Sequence, residues 1–282
     1  MVRFSLIVLS LYVRYLVDFF RIYATLRGRI ILNLILDEES IKLYQGNCLE
    51  ILPSFPNESI DTIITDPPYF LSSGGISCQS GKMVSVDKGE WDKELLYSME
   101  DFYDIFLSES KRILKKDGTI WIFGTMHNIF TLGYLMKKKD FKILNNITWQ
   151  KTNPPPNLGC RMFTHSTENI IWAKKDEKSK HVFNYKLMKE MNGNKQMKDV
   201  WTTSTIKKSE KKYGNHPTQK RYDIIERIVL ASTNEGELIL DPFIGSGTTA
   251  VAALVNNRNV IGIDLEDEYL SIALKRISEV EK

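Results

Sequence analysis

From Ile41 onward, short apolar strand-like runs alternate with amphipathic helical stretches, and this alternation restricts the fold more than any other feature. IKLYQGN reads as a strand and its turn, CLEILPSF as a short helix, and IDTIITD as a buried strand ending in a carboxylate. MEDFYDIFLSESKRILK predicts a helix, GTIWIFG a strand, and NIFTLGYLMKKK a second helix leading into FKILNNITWQK; ENIIWAKK is a further strand. DIIERIVLAST (helix), ELILD (strand), FIGSGTTAVAALVNN (glycine turn opening a helix), VIGID (strand) and EDEYLSIALKRISEVE (helix) complete the series. Strands separated by helices imply an α/β, doubly wound, mostly parallel sheet with ligands at the C-terminal ends of its strands. The Gly/Ser-rich stretch over residues 70–92, with Gly74, Gly75, Gly81 and Gly89, predicts a mobile loop.

Two strands end in motifs that carry chemistry. The first is Thr65-Asp66-Pro67-Pro68-Tyr69. Two prolines remove two backbone donors and hold the turn extended. The reading leaves a carboxylate, the Pro67 carbonyl and an aromatic face pointing outward: two acceptors for an exocyclic amino group and a stacking platform for a planar base. A rigid turn with a capping Asp is the alternative.

The second motif is Asp241-Pro242-Phe243-Ile244-Gly245-Ser246-Gly247-Thr248-Thr249, after ELIL and opening a helix. Gly245 and Gly247 permit a tight turn and close approach of a ligand to the helix N-terminus. Asp264, at the end of the next strand, is placed to accept both hydroxyls of a ribose. An adenosine-containing cofactor suits this arrangement, whereas the missing P-loop lysine argues against nucleoside triphosphate hydrolysis. Phe243 either packs near the adenine or fills core, and Thr248 and Thr249 are candidate caps.

The charge is divided unevenly along the 282 residues. Residues 137–221 hold 20 Lys/Arg against 7 Asp/Glu, while the rest hold 18 against 28. Interleaved with Trp149, Phe163, Trp172, Phe183, Tyr185, Trp201 and Tyr213, the basic excess predicts a polyanion surface. Lys151, Arg161, Lys207, Lys208, Lys211 and Lys212 are its candidate phosphate contacts, which position a nucleic acid without reading it. Asn153-Pro154-Pro155-Pro156-Asn157 is a stiff segment that either carries side chains into a groove or serves as a rigid connector.

Together these motifs resemble the amino-methyltransferases of DNA that use S-adenosylmethionine. D-P-P-Y matches the family's catalytic motif, D-P-F-x-G-S-G-T-T its cofactor loop, and His216-Pro217-Thr218-Gln219-Lys220 the motif found ahead of that loop. The catalytic motif precedes the cofactor motif with the basic block between them, the circularly permuted order of the family's β group. FLSSGGIS, VSVDKGEWDK, HNIF, ILNNITWQKTNPPPNL and RMFTHSTENIIWAKK are similar to the DpnA-like methylases of restriction systems that recognise GATC. The resemblance implies a Rossmann-like methyltransferase fold over residues 37–282, with an inserted target-recognition region at 150–215. It further implies N6-methyladenine as product, double-stranded DNA and also single-stranded DNA as substrate, compatibility with a homodimer, and a paired restriction endonuclease. Tyr69 would stack on an extruded adenine while Asp66 and Pro67 accept its amino hydrogens, with Pro68 stiffening the turn. Asn47, Cys48, His216, Thr218, Lys220, Asp241, Phe243, Gly245, Ser246, Gly247, Thr248 and Asp264 would form the cofactor site. Asn47 stands where relatives often carry Asp, and Arg221 where proline is common.

Residues 1–36 are unusually apolar, with an uncharged run at 4–13 that Arg14, Asp18, Arg21, Arg27 and Arg29 interrupt before it reaches spanning length. An amphipathic helix packed on a neighbour or on the body is expected, or an extension from an early start codon. Cys48, Cys78 and Cys160 form no framework, so a reducing, cytoplasmic setting is expected. The four histidines share no metal-ligand spacing, and no metal is expected. Cytosine-N4 transfer is the nearest competing activity, followed by RNA or protein methylation. A nicotinamide oxidoreductase would leave D-P-P-Y without a task, and a non-catalytic DNA-binding homologue would not need Asp66 and Tyr69.

Overall fold

The computed structural model describes residues 33–70, 76–79, 82–85, 98–214 and 216–280, with the backbone alone at 76–79, at 82–85 and at Lys208. The expected N-terminal helix lies outside the described residues. In chain order the strands are β1 (Asn33–Glu38), β2 (Ile41–Gln45), β3 (Ile60–Thr65), β4 (Ile76–Gln79), β5 (Lys82–Ser85), β6 (Leu114–Gly124), β7 (Lys142–Lys151), β8 (Thr167–Lys174), β9 (Val200–Thr203), β10 (Leu238–Asp241) and β11 (Asn259–Asp264). The helices are α1 (Cys48–Ile51), α2 (Met99–Ile113), α3 (Ile129–Lys138), α4 (Tyr185–Met191), α5 (Tyr222–Ser232), α6 (Thr248–Val255) and α7 (Asp267–Ile277).

Nine strands form one sheet in the order β1-β2-β11-β10-β3-β6-β8-β7-β9. From β2 to β6 every pairing is parallel, β8 runs antiparallel to β6 and to β7, and β9 is parallel to β7. Leaving β3 the chain passes through α2 to β6 on one side, and leaving β10 it passes through α6 to β11 on the other. The crevice between β3 and β10 is therefore the topological switch point, where ligands bind such sheets. Both sequence motifs sit at its rim, since β3 runs into Asp66 and β10 ends in Asp241.

Local sequence explains the helices. Ser98 caps α2 by accepting from the Asp101 amide at 3.1 Å and donating to its carboxylate at 2.7 Å, with acids in the first turn and Lys111 and Arg112 in the last. Tyr103, Phe106, Leu107, Ser110 and Ile113 recur at helical spacing and are all buried. In the core, Trp121 of β6 stacks on Trp172 of β8 at 4.7 Å, and its indole donates to Ser232 at 2.9 Å.

Three details differ from the sequence reading. Strand β1 straddles the expected 36/37 boundary, so the sheet begins at Asn33. The expected loop at 70–92 contains an antiparallel pair, Ile76–Gln79 with Lys82–Ser85. The basic stretch supplies β8, α4 and β9, so it widens the sheet instead of standing apart from it. Among the described residues no helix is long and apolar enough to cross a membrane.

Candidate active site

Asp66 lies where β3 gives way to the two prolines. Its Oδ1 accepts from the Tyr69 hydroxyl, and its Oδ2 lies 2.5 Å from the Lys220 ammonium. Lys220 in turn lies 3.4 Å from Glu168, whose other oxygen pairs with Lys151. Four buried or half-buried charges thus alternate in a row: Asp66, Lys220, Glu168, Lys151. Burial by itself would raise the Glu168 carboxyl, but the ammoniums of Lys220 and Lys151 outweigh it and hold it at about 2. Burial would lower the Lys220 ammonium, and Asp66 and Glu168 reverse this and raise it. Lys220 also lies 5.3 Å from the Phe123 ring centre and 5.6 Å from that of Tyr69.

Beside this row opens a cleft lined by the end of β3, the end of β10, the glycine turn and the HPTQK segment. Asp241 forms its inner wall, accepting from the Phe243 amide at 3.1 Å and the Thr249 hydroxyl at 2.6 Å. Asp264 accepts from the Gly245 amide at 2.8 Å and the Glu266 amide at 3.0 Å, so it shapes the glycine turn as well as facing the cleft. Burial pushes the Asp241 carboxyl up to about 7 and that of Asp264 to about 6. Gly245 and Gly247 have φ of +51° and +78°, and a Cβ on Gly247 would meet the Ala273 Cβ at 2.8 Å. Arg276 of α7 clamps the turn by donating to the Ser246 carbonyl at 2.7 Å and the Thr248 hydroxyl at 2.9 Å.

Residues 60–275 match the N6/N4 methyltransferase family, described as DNA methylase. The chain belongs to this family of DNA methyltransferases. The methyltransferase is 55% identical over 247 residues to the Type II methyltransferase M2.LlaDCHI of Lactococcus lactis subsp. cremoris, covering 86% of this chain and 91% of that protein. It is 56% identical over 239 residues to M2.DpnII of Streptococcus pneumoniae, covering 83% and 88%. Among solved structures, M1.HpyAVI in complex with SAM superposes with a TM-score of 0.62 at 27% identity, over 84% of this chain and 98% of that one.

The methyltransferase's cleft fits S-adenosylmethionine. It is acidic, as a sulfonium and an ammonium require, and two buried side-chain atoms on its wall, Thr65 Oγ1 and Gln219 Oε1, have no hydrogen-bond partner among the described residues. Asp66, His216, Thr218, Lys220, Asp241, Phe243, Gly245, Ser246, Thr248 and Asp264 all line it. His216 is kept neutral: burial, reinforced by Lys220, Lys211 and Arg276, lowers it to about 3, and its Nδ1 accepts from the Thr218 amide at 3.3 Å. Phe243 does double duty, lining the cleft and packing on Phe102 and Phe106.

Other expected residues are elsewhere. Asn47 caps α1, its Oδ1 accepting from the Leu49 amide at 3.0 Å, and Cys48 is buried behind it; neither lines the cleft. Gly247 supports the turn from beneath, against Ala273. Pro67, Pro68 and Tyr69 are buried, and the Tyr69 ring, 5% exposed, offers no outward face because its hydroxyl turns in to Asp66. Lys151 is no surface phosphate contact, since Glu168 holds it inside. Arg161 and Lys207 are exposed, the Lys208 side chain lies outside the described atoms, Lys211 is half-buried, and Lys212 is matched by Glu279. Arg221 pairs with Asp223 and donates to Ser204 away from the cleft; its φ of −67° is the value proline fixes, so either residue fits there. Sequence reasoning missed Glu168 and Arg276.

Among the described residues no group of three or more His, Cys, Asp and Glu is arranged to hold a metal ion.

Proposed function

We propose that this methyltransferase transfers the methyl group of S-adenosylmethionine to N6 of adenine in DNA, within GATC, and so protects DNA from a paired restriction endonuclease. The observation that carries the reading is the Asp66 carboxylate, fixed at the mouth of an acidic cofactor cleft by Tyr69 and Lys220. The D-P-P-Y sequence supports adenine over cytosine, and the DpnA-like segments support GATC. Double-stranded DNA is the principal substrate in this reading, with single strands also accepted because they need no unpairing. The cytoplasm is its compartment, and a homodimer is compatible with it.

Bound S-adenosylmethionine supplies a methyl group on a sulfonium, a good leaving group, so the protein's work is alignment. Adenine N6 is stacked inside a duplex, and the base must leave the helix to reach Asp66. Asp66 then accepts one amino hydrogen and the Pro67 carbonyl the other, which aims the nitrogen lone pair into the cleft. The Lys220 ammonium, 2.5 Å away, balances the Asp66 charge and fixes the carboxylate's position. Asp66 holds the neutral amine by hydrogen bonding and takes the proton once the new N–C bond has made that nitrogen cationic and acidic. Tyr69 stacks on a base only if its hydroxyl releases Asp66; in the arrangement seen it is an orienting donor.

The test is Asp66→Ala with base-resolution mapping of methylation in DNA from expressing cells. DNA from wild-type cells carries N6-methyladenine in GATC and resists a GATC endonuclease blocked by that mark. The variant still binds DNA but leaves it unmodified. Methylation by the variant would remove the mechanism, and methylcytosine in the wild-type map would replace adenine with its nearest competitor.

A further inference from the structure

Phe163 is the most exposed large apolar side chain of the described residues, 96% accessible, with Met162 beside it at 64%. Leu158 of the same loop is exposed as well, and a group of exposed apolar side chains, unlike a single one, is what marks a surface that meets a partner. Its position in the fold says which. Residues 152–166 connect β7 to β8, and Gln150 pairs with Thr167 at the root of the connection. β8 starts alongside the C-terminal end of β6, Gly124 opposite Asn169, and β6 is parallel to β3, Thr65 opposite Ile122. The loop therefore rises from the sheet edge where β3 delivers Asp66, and its two roots carry Lys151 and Glu168 of the buried charge row.

The loop is also stiff. Its base is closed by the Lys151 amide on the Ser166 carbonyl at 2.7 Å, and Asn153 is tied to Thr205 by bonds of 2.7 and 3.1 Å. Three prolines follow, and at the tip the Asn157 side chain accepts from the Gly159 amide at 2.9 Å and donates to the Met162 carbonyl at 3.2 Å. On the descending arm His165 meets His127, just past the end of β6, with ring centres 6.3 Å apart. Phe163 is thus presented on a braced stem with exposed Arg161 two residues away, a cation for the phosphates flanking an apolar tip.

Resting on the reading above that the substrate is duplex DNA, we propose that Phe163 is a wedge. It enters the base stack at the target step, displaces the adenine towards Asp66 and occupies part of the space the base leaves. Apolar side chains inserted between base pairs unstack them in this way, and a rigid stem means little ordering is lost on insertion. Phe163 is then a positioning residue whose work is confined to extruding the base. A base that is already unpaired has no need of it.

The experiment compares wild type, Phe163→Ala and Phe163→Leu on two GATC duplexes, one fully paired and one with the target adenine mispaired. With the wedge in place, Phe163→Ala loses about tenfold or more in kcat/KM on the paired duplex and less than about twofold on the mispaired one, while Phe163→Leu retains most activity on both. The fluorescence of 2-aminopurine at the target position rises when wild type binds and stays quenched with Phe163→Ala. Thermal melting of the variant matches wild type, because the side chain packs on almost nothing. Unchanged activity on the paired duplex overturns the proposal. So does an equal loss on both duplexes, which would assign Phe163 to general DNA affinity or to contact between copies of the chain, the latter visible by sedimentation. If wild type methylates neither duplex, the functional reading fails instead, and the two failures are distinct.

Discussion

Replacing Glu168 with glutamine removes one charge from the buried row and almost no volume. Glu168 stands between the ammoniums of Lys220 and Lys151, which overcome the burial that would raise it and hold it at about 2 instead of 4.5. Through linkage, that lowering is worth roughly 3 kcal/mol of folding stability at pH 7. The figure agrees with the cost of about 3–5 kcal/mol for removing one partner from a buried pair. The folded protein binds this proton less tightly than the unfolded chain, so the contribution is whole above about pH 4.5 and is lost as pH falls towards about 2. Urea denaturation of wild type and Glu168→Gln at two pH values measures it. The gap should be about 3 kcal/mol at pH 7 and shrink to roughly 2 kcal/mol at pH 3.5. The substitution also leaves Lys220 with Asp66 as its one carboxylate partner in the row, which draws the ammonium onto the oxygens that would meet the target amine, so kcat falls with DNA affinity unchanged. Equal urea midpoints at pH 7, or a gap that widens on acidification, would refute the ion-pair account of the row.

Two further outcomes follow from the cofactor cleft. Asp241 and Asp264, raised by burial to about 7 and about 6, are ionised when they face a cation and neutralised as pH falls. Calorimetric affinity for S-adenosylmethionine should therefore be greatest above pH about 7 and weaken progressively through pH about 6; a flat profile would mean that neither carboxylate senses the ligand's charge. Gly247→Ala puts a side chain at φ +78° and 2.8 Å from the Ala273 Cβ. The left-handed backbone alone costs about 1–2 kcal/mol, so the melting temperature should drop and cofactor binding weaken, and an unchanged melting temperature would count against the tight fit of α6 on α7.

The sheet and both rim motifs are legible in the sequence because their causes are local: short continuous apolar runs that become strands buried on both faces, prolines that stop a strand, glycines that permit a turn. Asn47 before a helix carried a readable capping signal, and cap is its role here. What stayed hidden depends on register. Lys151 looks like one more member of a basic block until β7 and β8 pair with Trp149 opposite Glu168, which puts its ammonium on that carboxylate. A signal existed in Glu168 itself, a lone acid at the head of an otherwise buried strand, because such a carboxylate needs a buried cation. Tyr69 shows the opposite limit, since the sequence places an aromatic after two prolines but cannot say whether its ring turns out to a base or in to Asp66. The strand VWTT and the helix YKLMKEM were missed because they are short, and tertiary pairing more than propensity forms them.

Why HPTQK must lie just ahead of the cofactor loop follows from one residue of it. The Lys220 carbonyl accepts from the Thr248 hydroxyl at 3.3 Å, on the first turn of the cofactor helix, while its ammonium lies 2.5 Å from Asp66. Asp66, Asp241 and Asp264 all face one cleft, and Asp66 and Asp264 help to raise the Asp241 carboxyl. Three acids so close would repel one another without a cation among them, and Lys220 is that cation on the catalytic side. Its main chain is fixed by the cofactor half of the site and its side chain by the catalytic half, so a shift of the glycine turn is passed directly to Asp66. In the proposed mechanism, cofactor binding and orientation of the target amine are for this reason one mechanical problem, solved by a lysine whose neighbours are distant in sequence on both sides.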